Sequence, residues 1–351
     1  MSTSVKKKKY KKSRVRLDRI FLCIFILAII LGLTIYFLHY KNTTSIHINV
    51  SDTFKNIRAT MFCDDIQETP KEDTSISLDF QENLLTNVQP DDLSAQYVYA
   101  LDSSNGQILF DKNSTSKCYP ASTTKILTSI VAIESINLDT TFTVGNEINL
   151  AEEGSSLAYL VQGEEISLKD LLYGLMLPSG NDAAYTIAVN VARILTGNPI
   201  LTDNEAVTYF VSLMNEKAQE IGMVDSHFEV PDGYHNKNHY VTAQDMMRLL
   251  IYAQRVDILK QVASTQSYST TALTGQEHTW INTNKLLDQN SSYYYEGVNG
   301  FKTGFHDDAG NCLIVTANIN SREVFLIIMK SETDDTRYQD ATILLDSIYN
   351  Y

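Results

Sequence analysis

At 351 residues, with 44% hydrophobic and 20% charged side chains, the chain is long enough for one large domain or two, with a real core. Its formal charge of −14 hides a split: residues 1–19 hold nine Lys/Arg and one acid, leaving 19 basic against 41 acidic residues beyond them. A body that acidic excludes nucleic-acid binding, which needs a basic surface against phosphates.

The basic tail 1–19 leads into residues 20–38, nineteen positions without a charge and rich in Ile, Leu and Phe. At helical rise they span roughly 28 Å, about the hydrocarbon thickness of a bilayer. Basic residues ahead of such a segment predict a cytoplasmic N-terminus and an exported body. No small-x-small site follows, because Tyr36-Phe37-Leu38-His39-Tyr40 is bulky. The segment, with its flank to residue 40, reads as an uncleaved transmembrane signal-anchor rather than a cleavable leader. Residues 41–93 are polar and acidic and read as a stalk. Cys23 lies in the span; Cys63, Cys118 and Cys312 are an odd number at irregular spacing, which argues for buried or free thiols rather than a disulfide framework.

A compact domain is expected over 94–351. Gln96-Tyr97-Val98-Tyr99-Ala100-Leu101 and Gln107-Ile108-Leu109-Phe110 read as strands around a turn at 102–106. Helices are expected after Pro120, over 168–176, 181–195, 205–221 and 243–252, the last capped by Thr242, and over 335–349. Residues 313–317 and 323–329 read as a hairpin around Asn320-Ser321. Strands at both ends with helices between them predict an α/β (α+β) fold in which distant segments complete one antiparallel sheet flanked by helices.

Three stretches could carry chemistry. In Pro120-Ala121-Ser122-Thr123-Thr124-Lys125, Ser122 and Lys125 stand three apart, on one side of a helical turn. A serine becomes a nucleophile when a neighbouring base takes its proton. Its N–H is also one of the unpaired donors at a helix start, available to a developing negative charge. The spacing alone is cheap, since Ser4/Lys7 and Ser114/Lys117 share it. Leu177-Pro178-Ser179-Gly180-Asn181-Asp182 breaks two apolar runs with a hydroxyl and a carboxamide; its bland reading is a helix cap by Ser179. Gly300-Phe301-Lys302-Thr303-Gly304 reads as a strand with Lys302 and Gly304 on one face, the glycine admitting a substrate backbone to the edge. Taken alone it could equally be a surface strand. His235-x-x-x-His239 reads as two loop histidines rather than a zinc site, because no acidic partner is evident.

In order and in combination these stretches, with Leu172 to Ala184, Pro231-Asp232-Gly233, His239-Tyr240-Val241-Thr242-Ala243 and Asn282-Thr283-Asn284-Lys285-Leu286-Leu287, resemble the serine-type D-alanyl-D-alanine carboxypeptidases. These are low-molecular-mass penicillin-binding proteins that share their fold with serine β-lactamases. The resemblance covers roughly 94–351. It implies that Ser122 attacks the bond between two D-alanines of a peptidoglycan stem peptide and that water hydrolyses the acyl-enzyme. Lys125 would be the base, its pKa lowered by burial and by the charge of Lys302. Ser179 would relay a proton to the leaving amine, and Asn181 would hold Lys125 and the substrate amide. The oxyanion would sit between the N–H groups of Ser122 and Phe305. Lys302 and Thr303 of the Lys302-Thr303-Gly304 triplet would bind the terminal carboxylate, assisted by Arg337. β-Lactam antibiotics would inhibit by acylating Ser122. No cofactor or metal has a role in this scheme.

Relatives often carry a cleaved signal and a terminal membrane helix, whereas here the anchor is expected at the N-terminus. His306-Asp307-Asp308 puts unusual charge beside the site, and Tyr293-Tyr294-Tyr295 reads as an entrance lining or as loop packing. Three rivals remain. A β-lactamase needs a carboxylate to activate the deacylating water, for which Glu229 is the candidate. A DD-transpeptidase would use the same acyl-enzyme, and a non-catalytic wall-binding protein would not need Ser122, Lys125, Ser179 and Lys302 intact.

Overall fold

The structure is a computed structural model that describes residues 83–351. The basic tail, the 20–38 span, Cys63 and most of the 41–93 stalk lie outside the described residues. The strands are β1 (Tyr97–Asp102), β2 (Gln107–Lys112), β3 (Lys117–Cys118), β4 (Thr141–Thr143), β5 (Glu165–Ser167), β6 (Val241–Thr242), β7 (Ser267–Thr271), β8 (Glu277–Ile281), β9 (Val298–His306), β10 (Gly310–Ile319) and β11 (Arg322–Ser331). The helices are α1 (Lys125–Ser135), α2 (Leu168–Met176), α3 (Asn181–Thr196), α4 (Asp203–Glu220), α5 (Ala243–Ala253), α6 (Asp257–Ser264) and α7 (Asp334–Asn350).

The central sheet has the order β2-β1-β11-β10-β9 and is antiparallel throughout, so the two ends of the domain meet in it as the sequence predicted. Tyr99 pairs with Ile327 across β1 and β11. Asn320 and Ser321 both have positive φ, 51° and 65°. A two-residue loop of that hand matches the strand twist and closes the β10–β11 hairpin. One sheet face, carrying Val98, Ala100, Leu313, Val315, Leu326 and Ile328, packs on Tyr338, Ala341, Leu344 and Leu345 of α7. Tyr99, Leu101, Ile314, Phe325 and Ile327 are fully buried as well. A sheet covered on both faces has continuous apolar strands, which is how β11 reads.

Leu85, Val88 and Leu93 join this core, and Leu84 packs on it. The Ser94 and Ala95 amides donate to the carboxylate of Asp340 on α7 at 2.9 Å each. Residues 84–93, expected in the stalk, therefore belong to the compact body. α6 and the β7–β8 hairpin were not anticipated. α6 is a short helix, and β7 alternates between half-buried and exposed polar residues with no apolar face to read. Tyr293 stacks on Tyr338 with ring centroids 5.0 Å apart, and the Tyr295 hydroxyl donates to Asp346 at 2.9 Å. Both rings pack the loop rather than line the cleft that holds Ser122. Cys118 and Cys312 are buried free thiols, and burial pushes Cys312 up to about 11.

Caps hold the helices where the sequence placed them. The Ser167 and Thr242 hydroxyls accept from the Asp170 and Asp245 amides at the starts of α2 and α5, and Thr202 with Glu205 forms a capping box at α4. α1 is buried at every position from Lys125 to Ala132. A helix enclosed all round lies inside the protein rather than on its surface, and here it carries Lys125 at its first position.

Candidate active site

Ser122 sits one turn before α1, on a 3-10 turn (Ala121–Thr124) rather than on the α-helix expected after Pro120. In a 3-10 turn side chains at i and i+3 eclipse, so Lys125 lies directly over Ser122. Its Nζ is 2.8 Å from Ser122 Oγ. The Thr123 amide and hydroxyl both donate to the Pro120 carbonyl, at 3.2 and 2.7 Å, which pins the turn. Ala121 is forced to φ 47°, a conformation that costs an L-residue about 1–2 kcal/mol.

Lys125 is fully buried. Besides Ser122, its Nζ donates to Asn181 Oδ1 at 2.7 Å and to the Asp232 carbonyl at 2.8 Å. Burial lowers its pKa to about 8, while the carboxylates of Asp232 and Asp182 pull the other way. Lys302 was expected to help lower it. The two buried amines oppose each other's charge, and the Lys302 pKa lies well below the lysine range through burial first, then Lys125 and Arg337.

Ser179 is not the cap of α3. Gly180 takes the N-cap position, and the Ser179 Oγ is buried without a partner. Its φ is 64°. An orphaned buried hydroxyl on a strained residue is what structure avoids and sites retain. The next helix residues brace the surroundings: Asn181 faces Lys125, and Asp182 accepts from Ala158 and Leu160 amides at 2.7 and 3.0 Å. Asp182 thereby holds the loop that brings Ser155 and Ser156 to the cleft, with the Asn181 amide donating to the Ser156 carbonyl at 2.8 Å. That loop is also held from below, where Trp280 of β8 donates through Nε1 to the Ala158 carbonyl at 2.8 Å and stacks on His278. Neither Asp182 nor Trp280 is among the site residues expected from sequence. The carboxylate directly after Asn181 was the available signal.

β9 is the edge strand of the sheet and forms the third wall. Ser122, Ser179, Asn181, Thr303, Gly304, Phe305 and Arg337 line one cleft. Lys302 is not among these lining residues. Strand alternation puts Lys302 on the Gly304 side. It is 1% exposed there, and its Nζ donates to the Thr303 carbonyl at 3.0 Å. The reason for Gly304 changes. A Cβ there would stand 3.1 Å from the Pro120 carbonyl oxygen and the Ser122 amide nitrogen, so the glycine admits the turn that holds Ser122. Thr303 Oγ1 is 2.6 Å from Thr283 Oγ1. Arg337 donates to the Gly304 and Cys312 carbonyls at 3.2 and 3.3 Å and pairs with Asp334. Its Nε has no partner.

The loop before His239 closes the site from the other side. Gly233 has φ 82°, and a Cβ there would lie 1.9 Å from the Ala121 carbonyl oxygen. Gly233→Ala should cost roughly 2–5 kcal/mol, left-handed strain plus overpacking; a urea-melt change under about 0.5 kcal/mol would contradict the close fit. His239 is turned inward. Its Nδ1 accepts from the Glu229 amide at 3.1 Å, which leaves Nε2 to donate to Thr124 Oγ1 at 2.9 Å. Burial lowers its pKa to about 3, so it is a neutral strut. Glu229 bonds His227 at 3.0 Å and does not line the cleft.

A turn-borne serine under a buried amine, an orphaned second hydroxyl and an edge strand together define an acyl-transferring serine hydrolase site. The chain belongs to the D-alanyl-D-alanine carboxypeptidase family, whose sequence pattern matches residues 85–333. It is 31% identical over 257 residues to a D-alanyl-D-alanine carboxypeptidase of Streptomyces sp. strain K15, covering 71% of this chain and 84% of that one. The match to DacF of Bacillus subtilis is 28% over 259 residues, and there the chain spans 62% of the relative's length. Among solved structures, the Streptomyces K15 DD-transpeptidase superposes with a TM-score of 0.67 at 30% identity, over 74% of this chain and 98% of that one.

Proposed function

We propose that this protein is a serine DD-carboxypeptidase that removes the terminal D-alanine from peptidoglycan stem pentapeptides through an acyl-enzyme on Ser122. The observation that carries this reading is the set of partners around Lys125 Nζ. A neutral amine has two N–H bonds and one lone pair. Asn181 Oδ1 and the Asp232 carbonyl can only accept, so they take both N–H groups. The lone pair is then left for the Ser122 hydroxyl 2.8 Å away. With a pKa of about 8, an appreciable fraction of Lys125 is in that form near neutrality.

The steps follow from this arrangement. Ser122 Oγ attacks the carbonyl as its proton passes to Lys125. The oxyanion is held by the N–H groups of Ser122 and Phe305, each worth ~10²–10³ in rate. The amine of D-alanine leaves with a proton relayed through Ser179, whose hydroxyl has no competing partner. Water then attacks the ester and releases the shortened peptide. Thr303 and Arg337 receive the terminal carboxylate, beside the buried Lys302. β-Lactams acylate the same serine. In this reading residues 20–38 anchor the protein in the cell membrane, with the tail 1–19 in the cytoplasm and the enzyme outside.

Release of D-alanine from a pentapeptide, measured beside penicillin hydrolysis on one sample, tests the proposal. Carboxypeptidase release with a long-lived penicillin adduct supports it, whereas rapid penicillin turnover would make the protein a β-lactamase. The pH profile of kcat/KM should rise about tenfold per unit below about pH 8 and level off above it, since only the unprotonated amine accepts the proton. A flat profile from pH 5 to 9 would remove Lys125 as the base. A transpeptidase reading is favoured by the likeness to the Streptomyces K15 DD-transpeptidase. Adding an acceptor amine and finding transfer in preference to hydrolysis would establish it.

A further inference from the structure

The mouth of the cleft carries side chains that the peptidase chemistry does not use. His306 ends β9, Asp308 lies in the following turn, and His235 comes from the loop after Gly233, about seventy residues earlier. All three line the cleft. His235 Nδ1 is 3.2 Å from Asp308 Oδ2. The two imidazoles stand edge to face with centroids 5.3 Å apart, and Tyr119 packs on both, at 5.1 and 6.0 Å. One ligand atom from each of the three residues lies within 4.8 Å of the others. The Asp308 carboxylate holds His235 and the Ala309 amide holds His306, and together they bring three metal-type donors to one point.

We propose that His235, His306 and Asp308 bind a divalent first-row transition-metal ion, zinc before others, at the entrance of the active-site cleft. Two imidazoles and a carboxylate are donors for zinc, cobalt or nickel, while magnesium and calcium prefer all-oxygen sets. Bonds of ~2.0–2.1 Å in tetrahedral geometry separate ligand atoms by roughly 3.4 Å, close to the His235–Asp308 spacing. The third ligand closes in by a small movement at an exposed rim. Three protein ligands leave a fourth position open. Because all three face the cleft, that position opens to the space where an acidic peptide enters, and a carboxylate of that peptide is its natural occupant.

The site has a built-in signature. His306 Nδ1 accepts from the Ala309 amide at 3.1 Å. If the metal takes Nδ1, it displaces that hydrogen bond. If it takes Nε2, the ring proton moves to Nδ1, which can no longer accept. Either way the Ala309 bond breaks on metal binding.

The test is titration of tag-free protein with cobalt(II), followed by displacement with zinc against a chromophoric chelator. One equivalent of cobalt should give the visible bands of a four-coordinate site. His235→Ala and His306→Ala should each weaken zinc by at least about tenfold, with Asp308→Asn intermediate, and the Ala309 amide resonance should shift on zinc binding to wild type. Wild-type affinity equal to that of both histidine variants would overturn the assignment, as would the absence of stoichiometric binding. Neither readout depends on peptidase activity.

Discussion

Replacing Ser122 by Ala should abolish covalent addition of penicillin to the full chain and lower peptidase kcat by a factor on the order of 10⁶, the loss seen when serine peptidases lose their nucleophile. Intact-mass measurement after penicillin exposure checks the first part and D-alanine release the second. Folding should be almost untouched, within about 1 kcal/mol, because Ser122 is only half-buried and Lys125 keeps its other two acceptors. An adduct retained in Ser122→Ala would move the nucleophile elsewhere, and Ser179 would be the first place to look.

Lys125→Ala and Lys125→Arg form the second test, and the pair separates base from charge. Both should lose on the order of 10²–10⁴ in the rate of penicillin acylation. Arginine keeps the positive charge but cannot take a proton near neutrality. If charge were the contribution, Lys125→Arg would retain most of the rate. If proton acceptance is the contribution, the two variants fail alike and the inflection near pH 8 disappears from both. Lys125→Ala also leaves Asn181 Oδ1 and the Asp232 carbonyl without their donor. Each orphaned acceptor costs about 1–3 kcal/mol, offset in part because a buried ammonium is removed. Comparing denaturation midpoints keeps instability from being mistaken for lost chemistry. Retention of wild-type acylation by either variant would exclude the proposed base.

Much of this architecture was legible before any coordinate. Capping residues such as Thr242, the continuous apolar runs of β10 and β11, and the apolar stretches of α2 and α3 are local signals, and local physics sets those elements. The candidate site was legible as a set of residues rather than as an arrangement. That Ser122 would ride a 3-10 turn follows from contacts of Gly233 and Gly304 with the turn's backbone, which come from residues over a hundred positions away. The burial of Lys302 has a related cause: alternation tells which face a side chain takes, but not that the turn holding Ser122 covers that face. The packing of Leu85 and Val88 was missed because two apolar residues in a polar stretch have no period. Asp182 escaped notice because its partners, the amides of Ala158 and Leu160, are backbone groups that no side-chain pattern reveals.

The chain has a single tryptophan, and Trp280 is joined through Ala158 to the segment that Asp182 steadies beside the cleft of Ser122 and Ser179. Excited where its twenty tyrosines do not absorb, the protein emits from one indole, hydrogen-bonded to the Ala158 carbonyl. Loading the serine with an acyl group will change the brightness or colour of that light wherever it shifts the Ala158 carbonyl. The protein thus carries its own optical gauge, able to follow acylation and its reversal in real time without a label.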